Sequence, residues 1–318
     1  MDLLLKGENI MSDLKKIDVL KLKKNIEKMD EFNIDSIFIE KNGEVNKLFY
    51  NECKLHELRS CAKLLVAMAV GIAIERKMFD LNILVYPTIK NIVNIDNVNN
   101  LNKIKKWNIK NLLTHTTGYE SQMLSEKFIK DIDKNDLVNY ALNYEIPYDV
   151  GNRFAYNNVE PFILSVFFQE KFQKNLADFV NENIFMKLDI NEFKWENYGK
   201  YCAGATGLYM KHEDFHKIGQ LLLNGGRYNN EQVVPEKWIH EMTKLQIKTP
   251  SLYKSDRVFP KIGVGYYVFI SRDGYVFRDG SNGQYIIVNK ERNILITIMA
   301  TEKNMKNVTE IFRDIIDG

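Results

Sequence analysis

The sequence predicts an α/β chain of the α+β type, in which an antiparallel sheet flanked by N- and C-terminal helices is interrupted by a mostly helical domain. Three observations predict it. Ser36–Glu40 and Val45–Asn51 bracket Lys41-Asn42-Gly43-Glu44, and Asn-Gly between two strand-like runs is a strong hairpin signal. From Asp80 to about Asn197 the pattern is helical and loop-rich, with little strand signal. From Gly263 onward, strand-like runs are joined by short polar turns, which imply antiparallel neighbours. Both ends of the chain thus supply one sheet, residues 1–79 with 202–318, while residues 80–201 form the helical insertion, with a site at the interface.

Each element has its own signal. Val19, Leu20, Leu22, Ile26, Met29 and Phe32 recur at mostly helical intervals, so Asp18–Phe32 is an amphipathic helix that packs on the sheet. After the hairpin, Leu64–Ile74 is apolar on nearly every side, which marks a buried rod. Helices are expected over Trp107–His115, Lys134–Asn143, Pro161–Phe172, with proline suited to a first turn, and Leu176–Phe185. Beyond a glycine-punctuated passage from Gly204, helices follow at Glu213–Asn224 and Pro235–Leu245. The strands are Gly263–Ile270, Tyr275–Arg278, Gln284–Asn289 and Ile294–Ala300, and a last helix is Asn304–Ile316.

Composition narrows the classes of function. With 318 residues, 45% of them hydrophobic, the chain can bury a large core. Lys+Arg of 44 against Asp+Glu of 42, interspersed, leave a formal charge of +2 and offer nucleic acid no basic face. The one basic run, Lys103–Lys106 with Lys110, reads as a solvated helix face. Cys53, Cys61 and Cys202 have no metal-ligand spacing and cannot all pair, so reduced thiols in a cytoplasmic setting are expected. Met1–Glu8 carries a leucine run broken by charge, far short of a signal peptide's apolar core, and no run of about 18 apolar residues offers a membrane span. The sequence leaves the oligomeric state open.

Ser-X-X-Lys occurs three times, at Ser12–Lys15, Ser60–Lys63 and Ser251–Lys254. Ser12 lies in a charged stretch, and Ser251 follows Pro250 in a loop. Only Ser60 precedes a wholly apolar helix, which holds hydroxyl and amine on one face and aims helix-terminal N–H groups at a developing anion. Taken alone, a serine at such a position is most often an N-cap.

Four landmarks stand in order: Ser60-Cys61-Ala62-Lys63, Leu112-Leu113-Thr114-His115-Thr116-Thr117-Gly118, Gly151-Asn152-Arg153-Phe154-Ala155-Tyr156-Asn157-Asn158, and Gly280-Ser281-Asn282-Gly283-Gln284-Tyr285. Together they resemble the serine β-lactamase and penicillin-binding-protein superfamily, in its class C β-lactamase-like branch, from about Ser36 to Ala300. The resemblance implies a β-lactamase/transpeptidase-like fold. It also implies a serine acyl-hydrolase that forms an acyl-serine on a β-lactam, D-Ala peptide, ester or amide and needs no metal or cofactor. Its partner is a small-molecule or peptide acyl substrate.

By the same resemblance Ser60 is the nucleophile, Lys63 a proton acceptor or a tuning charge, and Tyr156 the candidate base and acid. Asn158 becomes a hydrogen-bond donor to substrate and to Lys63, and the backbone N–H groups of Ser60 and Ser281 form the oxyanion hole. Whether Lys63 or Tyr156 holds the proton stays open. A second Tyr-X-Asn, Tyr228-Asn229-Asn230, reads as a surface turn. The family's Lys-Thr-Gly or His-X-Gly element falls on Arg278-Asp279-Gly280, where arginine keeps the charge and adds a fork for a carboxylate. That departure motivates a second reading, a non-catalytic or penicillin-binding member that uses the cleft for ligand recognition.

Other residues read more plainly. His115 is structural, and Cys61 is small packing beside a buried helix, with a reactive thiol as its alternative. His212 and His216, four apart with no third ligand at zinc spacing, read as part of a solvent-facing helix.

Overall fold

Ile34-Asp35-Ser36-Ile37-Phe38-Ile39 is rich in residues that favour extended backbone, and the computed structural model places them in a strand. It describes residues 31, 33–49, 55–120, 123–249, 261–304, 306 and 308. The expected helices over 18–32 and 304–316 lie almost wholly outside the described residues, as do Ser12, Cys53 and Ser251. β1 (Ile34–Lys41) pairs antiparallel with β2 (Glu44–Phe49), Lys41 facing Glu44 across the Asn-Gly turn. The helices that follow include α1 (Lys63–Glu75), α2 (Ile109–Leu113), α3 (Leu137–Asn143), α4 (Val159–Phe172), α5 (Leu176–Val180), α6 (His212–Leu223) and α7 (Glu236–Thr243). The last strands are β3 (Ile247–Lys248), β4 (Lys261–Val264), β5 (Phe269–Ser271), β6 (Val276–Asp279), β7 (Tyr285–Asn289) and β8 (Ile294–Ala300).

These strands form one eight-stranded sheet in the order β3-β4-β5-β6-β7-β8-β1-β2, and each adjacent pair is antiparallel. The sheet therefore joins the first and last parts of the chain through β1 and β8. No helix among the described residues is long and apolar enough to cross a membrane.

The expected strand Gly263–Ile270 is in fact two strands, β4 and β5. Its centre, Gly265-Tyr266-Tyr267-Val268, is buried and aromatic like a strand but turns back, with Gly265 N–H donating to Val268 O and Tyr266 N–H donating to Met242 O of α7. A helix carbonyl has taken the place of a ladder partner.

α1 is buried from Lys63 through Ala73, as a helix apolar all round must be. Trp238 of α7 lies flat against it and donates its indole N–H to Ala67 O at 2.9 Å. A Cβ at Gly71 would sit 2.1 Å from the Trp238 ring, so the helix crossing requires glycine there. Gly71→Ala is expected to cost about 1–3 kcal/mol by overpacking, measured as a lower denaturant midpoint with unchanged slope.

His212 and His216 do not face solvent. Both are buried where α6 packs on β7 and β8, within hydrogen-bond reach of β1. His212 Nδ1 bonds Ser36 Oγ and its Nε2 lies 2.8 Å from Thr297 Oγ1. His216 Nδ1 is 2.8 Å from the same hydroxyl, and its Nε2 is 3.0 Å from Glu40 Oε2. The four-residue spacing puts both rings on one face of α6, and the partners that make that face an inner one come from β1 and β8.

Burial, then the neighbouring His216 and His56 charges, hold His212 well below its ordinary 6.5. Burial likewise lowers His115. The unfolded chain takes up these protons first, so stability is full above about pH 6.5 and falls as pH drops below it. Glu40, lowered from 4.5 chiefly by its hydrogen bond to His216, adds a loss at more acid pH. Urea midpoints read against pH are expected to fall on acidification, and His212→Gln is expected to flatten the first part of that slope.

Candidate active site

The chain enters α1 through a 3-10 turn, Arg59–Ala62, and Ser60 lies inside it. Arg59 has φ +49°, in the left-handed region that side chains avoid, a strain of roughly 1–3 kcal/mol that the surroundings must hold. Its guanidinium is clamped by Glu57 at 2.8 Å and Glu126 at 2.9 Å. Ser60 makes no side-chain cap. Its hydroxyl instead faces two functional groups, Lys63 Nζ at 3.0 Å and Tyr156 Oη at 2.8 Å.

Lys63 stands one turn along and is fully buried. Besides Ser60, its amine contacts Asn158 Oδ1 at 2.7 Å and Ala205 O at 3.1 Å. Burial lowers Lys63 well below its ordinary value, and the Arg278 charge lowers it further, against opposing effects of Cys61, Glu160 and Asp279. Asn158, the residue before α4, turns its oxygen to Lys63 and donates its amide N–H to Leu124 O at 3.0 Å. That N–H is thus not directed at Lys63, as the donor role implied.

Arg278 on β6 is 1% exposed and turns inward. Its Nε donates to Ser60 O at 2.9 Å, and its Nη2 donates to Tyr156 Oη. The guanidinium therefore engages the nucleophile's backbone and the tyrosine. Gly280, just past the end of β6, lets the chain close on the serine turn: a Cβ there would lie 2.8 Å from Leu58 O and 2.9 Å from Arg59 Cβ. Gly280 N–H donates to Gln284 O, and Ser281 lines a cleft of about 590 Å³ together with Ser60, Asn158, Arg59, Tyr198 and Tyr209.

Cys61 sits behind the site with its thiol 3.6 Å from Arg278 O, and burial pushes that thiol up, so it packs rather than reacts. Tyr228 belongs to a small hairpin, Arg227–Tyr228 against Glu231–Gln232, as the turn reading expected. His115 is buried with Nδ1 3.0 Å from Glu160 Oε2. Glu160 and the Ala205 carbonyl were not among the sequence candidates. A lone carboxylate inside the apolar run Val159–Phe168 was a signal for the first; nothing in sequence marks a backbone carbonyl.

A Ser-X-X-Lys turn, a Tyr-X-Asn turn and a basic strand residue brought together beside an antiparallel sheet define the β-lactamase and penicillin-binding class of fold. The Beta-lactamase family model matches residues 46–316, and the chain belongs to that family, whose members are generally hydrolases.

Solved structures agree on the fold. The octameric penicillin-binding protein homologue from Pyrococcus abyssi superposes with a TM-score of 0.75 at 18% identity, covering 93% of this chain and 76% of that one. The class C β-lactamase from Rhodobacter sphaeroides gives 0.69 at 15% identity, with 93% and 98% covered. Simvastatin synthase (LovD) from Aspergillus terreus gives 0.72 at 14%, with 94% and 97% covered. A search of curated proteins finds no match.

Proposed function

We propose that the chain is a serine acyl-hydrolase of the class C β-lactamase-like kind, divided into a sheet domain of residues 1–79 and 202–318 and a helical insertion of residues 80–201, with the site between them. The supporting observation is the Ser60 hydroxyl lying within 3.0 Å of Lys63 Nζ and 2.8 Å of Tyr156 Oη.

Hydrogen-bond bookkeeping favours Lys63 as the base of acylation. A neutral amine has two N–H groups and one lone pair. The two donors match Asn158 Oδ1 and Ala205 O, which leaves the lone pair to face Ser60. Its lowered proton affinity fits that state. Tyr156 then donates to Ser60 Oγ while accepting from Arg278.

In the reaction Ser60 Oγ bonds the substrate carbonyl carbon as its proton passes to Lys63. Collapse of the tetrahedral species breaks the bond to the leaving group, which takes a proton from Tyr156, and Tyr156 is reprotonated by the one Lys63 received. Water then adds to the acyl carbonyl as its proton passes to Lys63, and collapse releases the acid while Ser60 Oγ takes that proton back. Backbone N–H groups of Ser60 and Ser281 stabilise the oxyanion, worth roughly 10² to 10³ in rate. Asn158 and Arg278 hold the machinery, and the substrate is a small acyl compound or peptide handled in a cytoplasmic setting.

The test is exposure to a chromogenic cephalosporin, a fluorescent penicillin and p-nitrophenyl esters, with intact-mass and peptide mapping. An adduct on the Ser60 peptide, or turnover that depends on Ser60, is expected. Adduct without turnover identifies a penicillin-binding member; neither adduct nor turnover overturns the reading.

A further inference from the structure

Behind Tyr156 lies a buried polar cluster that none of the proton transfers above uses. Glu160, on the first turn of α4, is fully buried. Its carboxylate collects Thr117 Oγ1 at 2.6 Å, Asn157 Nδ2 at 3.0 Å and His115 Nδ1 at 3.0 Å. Three donors on two oxygens suit an ionised carboxylate. His115 Nε2 is buried with no hydrogen-bond partner, which suits a neutral imidazole that donates through Nδ1.

The donors tie two loops together. Ala155 N–H donates to His115 O at 3.0 Å, and Val159 N–H donates to Asn157 Oδ1 at 2.7 Å. Tyr156 and Asn158, which contact Ser60 and Lys63, lie between these anchored points. Tyr156 also rests on the His115 ring, their centroids 5.1 Å apart.

We propose that Glu160 is a positioning residue: its buried carboxylate holds the Tyr156–Asn158 turn against the His115 loop and supplies negative charge that offsets Arg278 beside Lys63. The inference rests on the reading of Ser60 as nucleophile and Lys63 as base.

The groups facing Lys63 set the sign of the charge effect. Cys61 comes from its own serine turn, Arg278 and Asp279 from β6, Tyr156 from the loop before α4, and Glu160 from α4 itself. Arg278 favours the neutral amine, whereas Glu160 and Asp279 favour the ammonium. Glu160 in turn faces His115 and Thr117, with its charge also felt by Tyr119 and Tyr267. Removing the carboxylate therefore lets Lys63 shed its proton at lower pH.

The experiment is the rate of Ser60 labelling by an alkyl fluorophosphonate, followed by intact mass across the acid limb of its pH profile. Glu160→Gln is expected to lower the plateau by roughly 10- to 100-fold through misplacement of Tyr156 and Asn158. It is also expected to move the acid limb down by about one pH unit, tenfold in the proton equilibrium. Arg278→Met is expected to move the limb up, and His115→Gln to lower the plateau without moving it.

A labelled parent whose limb stays in place in Glu160→Gln overturns this inference alone, as does a His115→Gln variant that shifts the limb equally. A parent that takes no label overturns the reading of Ser60 as nucleophile, and this inference with it. If Glu160→Gln does not fold, Asn157→Ala carries the test: a plateau about tenfold lower with an unmoved limb supports the positioning role, and parity with the parent overturns it.

Discussion

Ser60→Ala is expected to take up no acyl group from a β-lactam, an activated ester or a fluorophosphonate, and to reduce turnover to the background of solution hydrolysis. The loss is chemical rather than structural. Lys63 keeps Asn158 and Ala205 as acceptors and Tyr156 keeps the Arg278 guanidinium as donor, so removal of the hydroxyl takes from each only its bond to Ser60. The two lost hydrogen bonds amount to about 1 kcal/mol each in stability, and the thermal midpoint should move by only a few degrees. Intact mass after exposure, with a melt on the same sample, checks both halves. Turnover that survives the substitution would place the chemistry elsewhere.

Lys63→Met is expected to slow acylation by roughly 10² to 10⁴, the span that a positioned general base supplies. Methionine keeps much of the stem's length and packing, but the oxygens of Asn158 and Ala205 lose their donor, at about 1–3 kcal/mol for each group left unsatisfied. Lys63→Arg is expected to be no rescue, since guanidinium stays charged and cannot accept the Ser60 proton. The measurement is the acylation rate at a pH above the parent's acid limb. A Met variant that acylates at the parent's rate would transfer the base role to Tyr156.

Much of the fold could be read in the sequence because its signals are local. Asn42-Gly43 marks the first hairpin, the unbroken apolar run after Lys63 marks a rod buried on every side, and polar turns mark the last strands. The pairing of Ser60 with Lys63 was legible for the same reason, being a single helical turn. What escaped depends on partners far away in sequence. The inward turn of Arg278 needs Ser60 O and Tyr156 Oη, and the inner placement of His212 and His216 needs Ser36, Glu40 and Thr297. The split of 263–270 into two strands needs a carbonyl of α7. No window of residues contains such information.

The hydrogen bond from Arg278 to the Ser60 carbonyl joins positions 218 residues apart. It also joins a strand of the late sheet to the turn that presents the nucleophile. The buried Arg278 guanidinium and the buried Lys63 amine have no tolerable home until both stretches and the Tyr156–Asn158 loop have come together to supply their partners. The assembled serine therefore requires that the long loops between its parts have closed. A chain still on the ribosome, or one opened by heat, carries a serine no more reactive than any other. Chemical hazard from a stray nucleophile is confined to molecules that have finished folding.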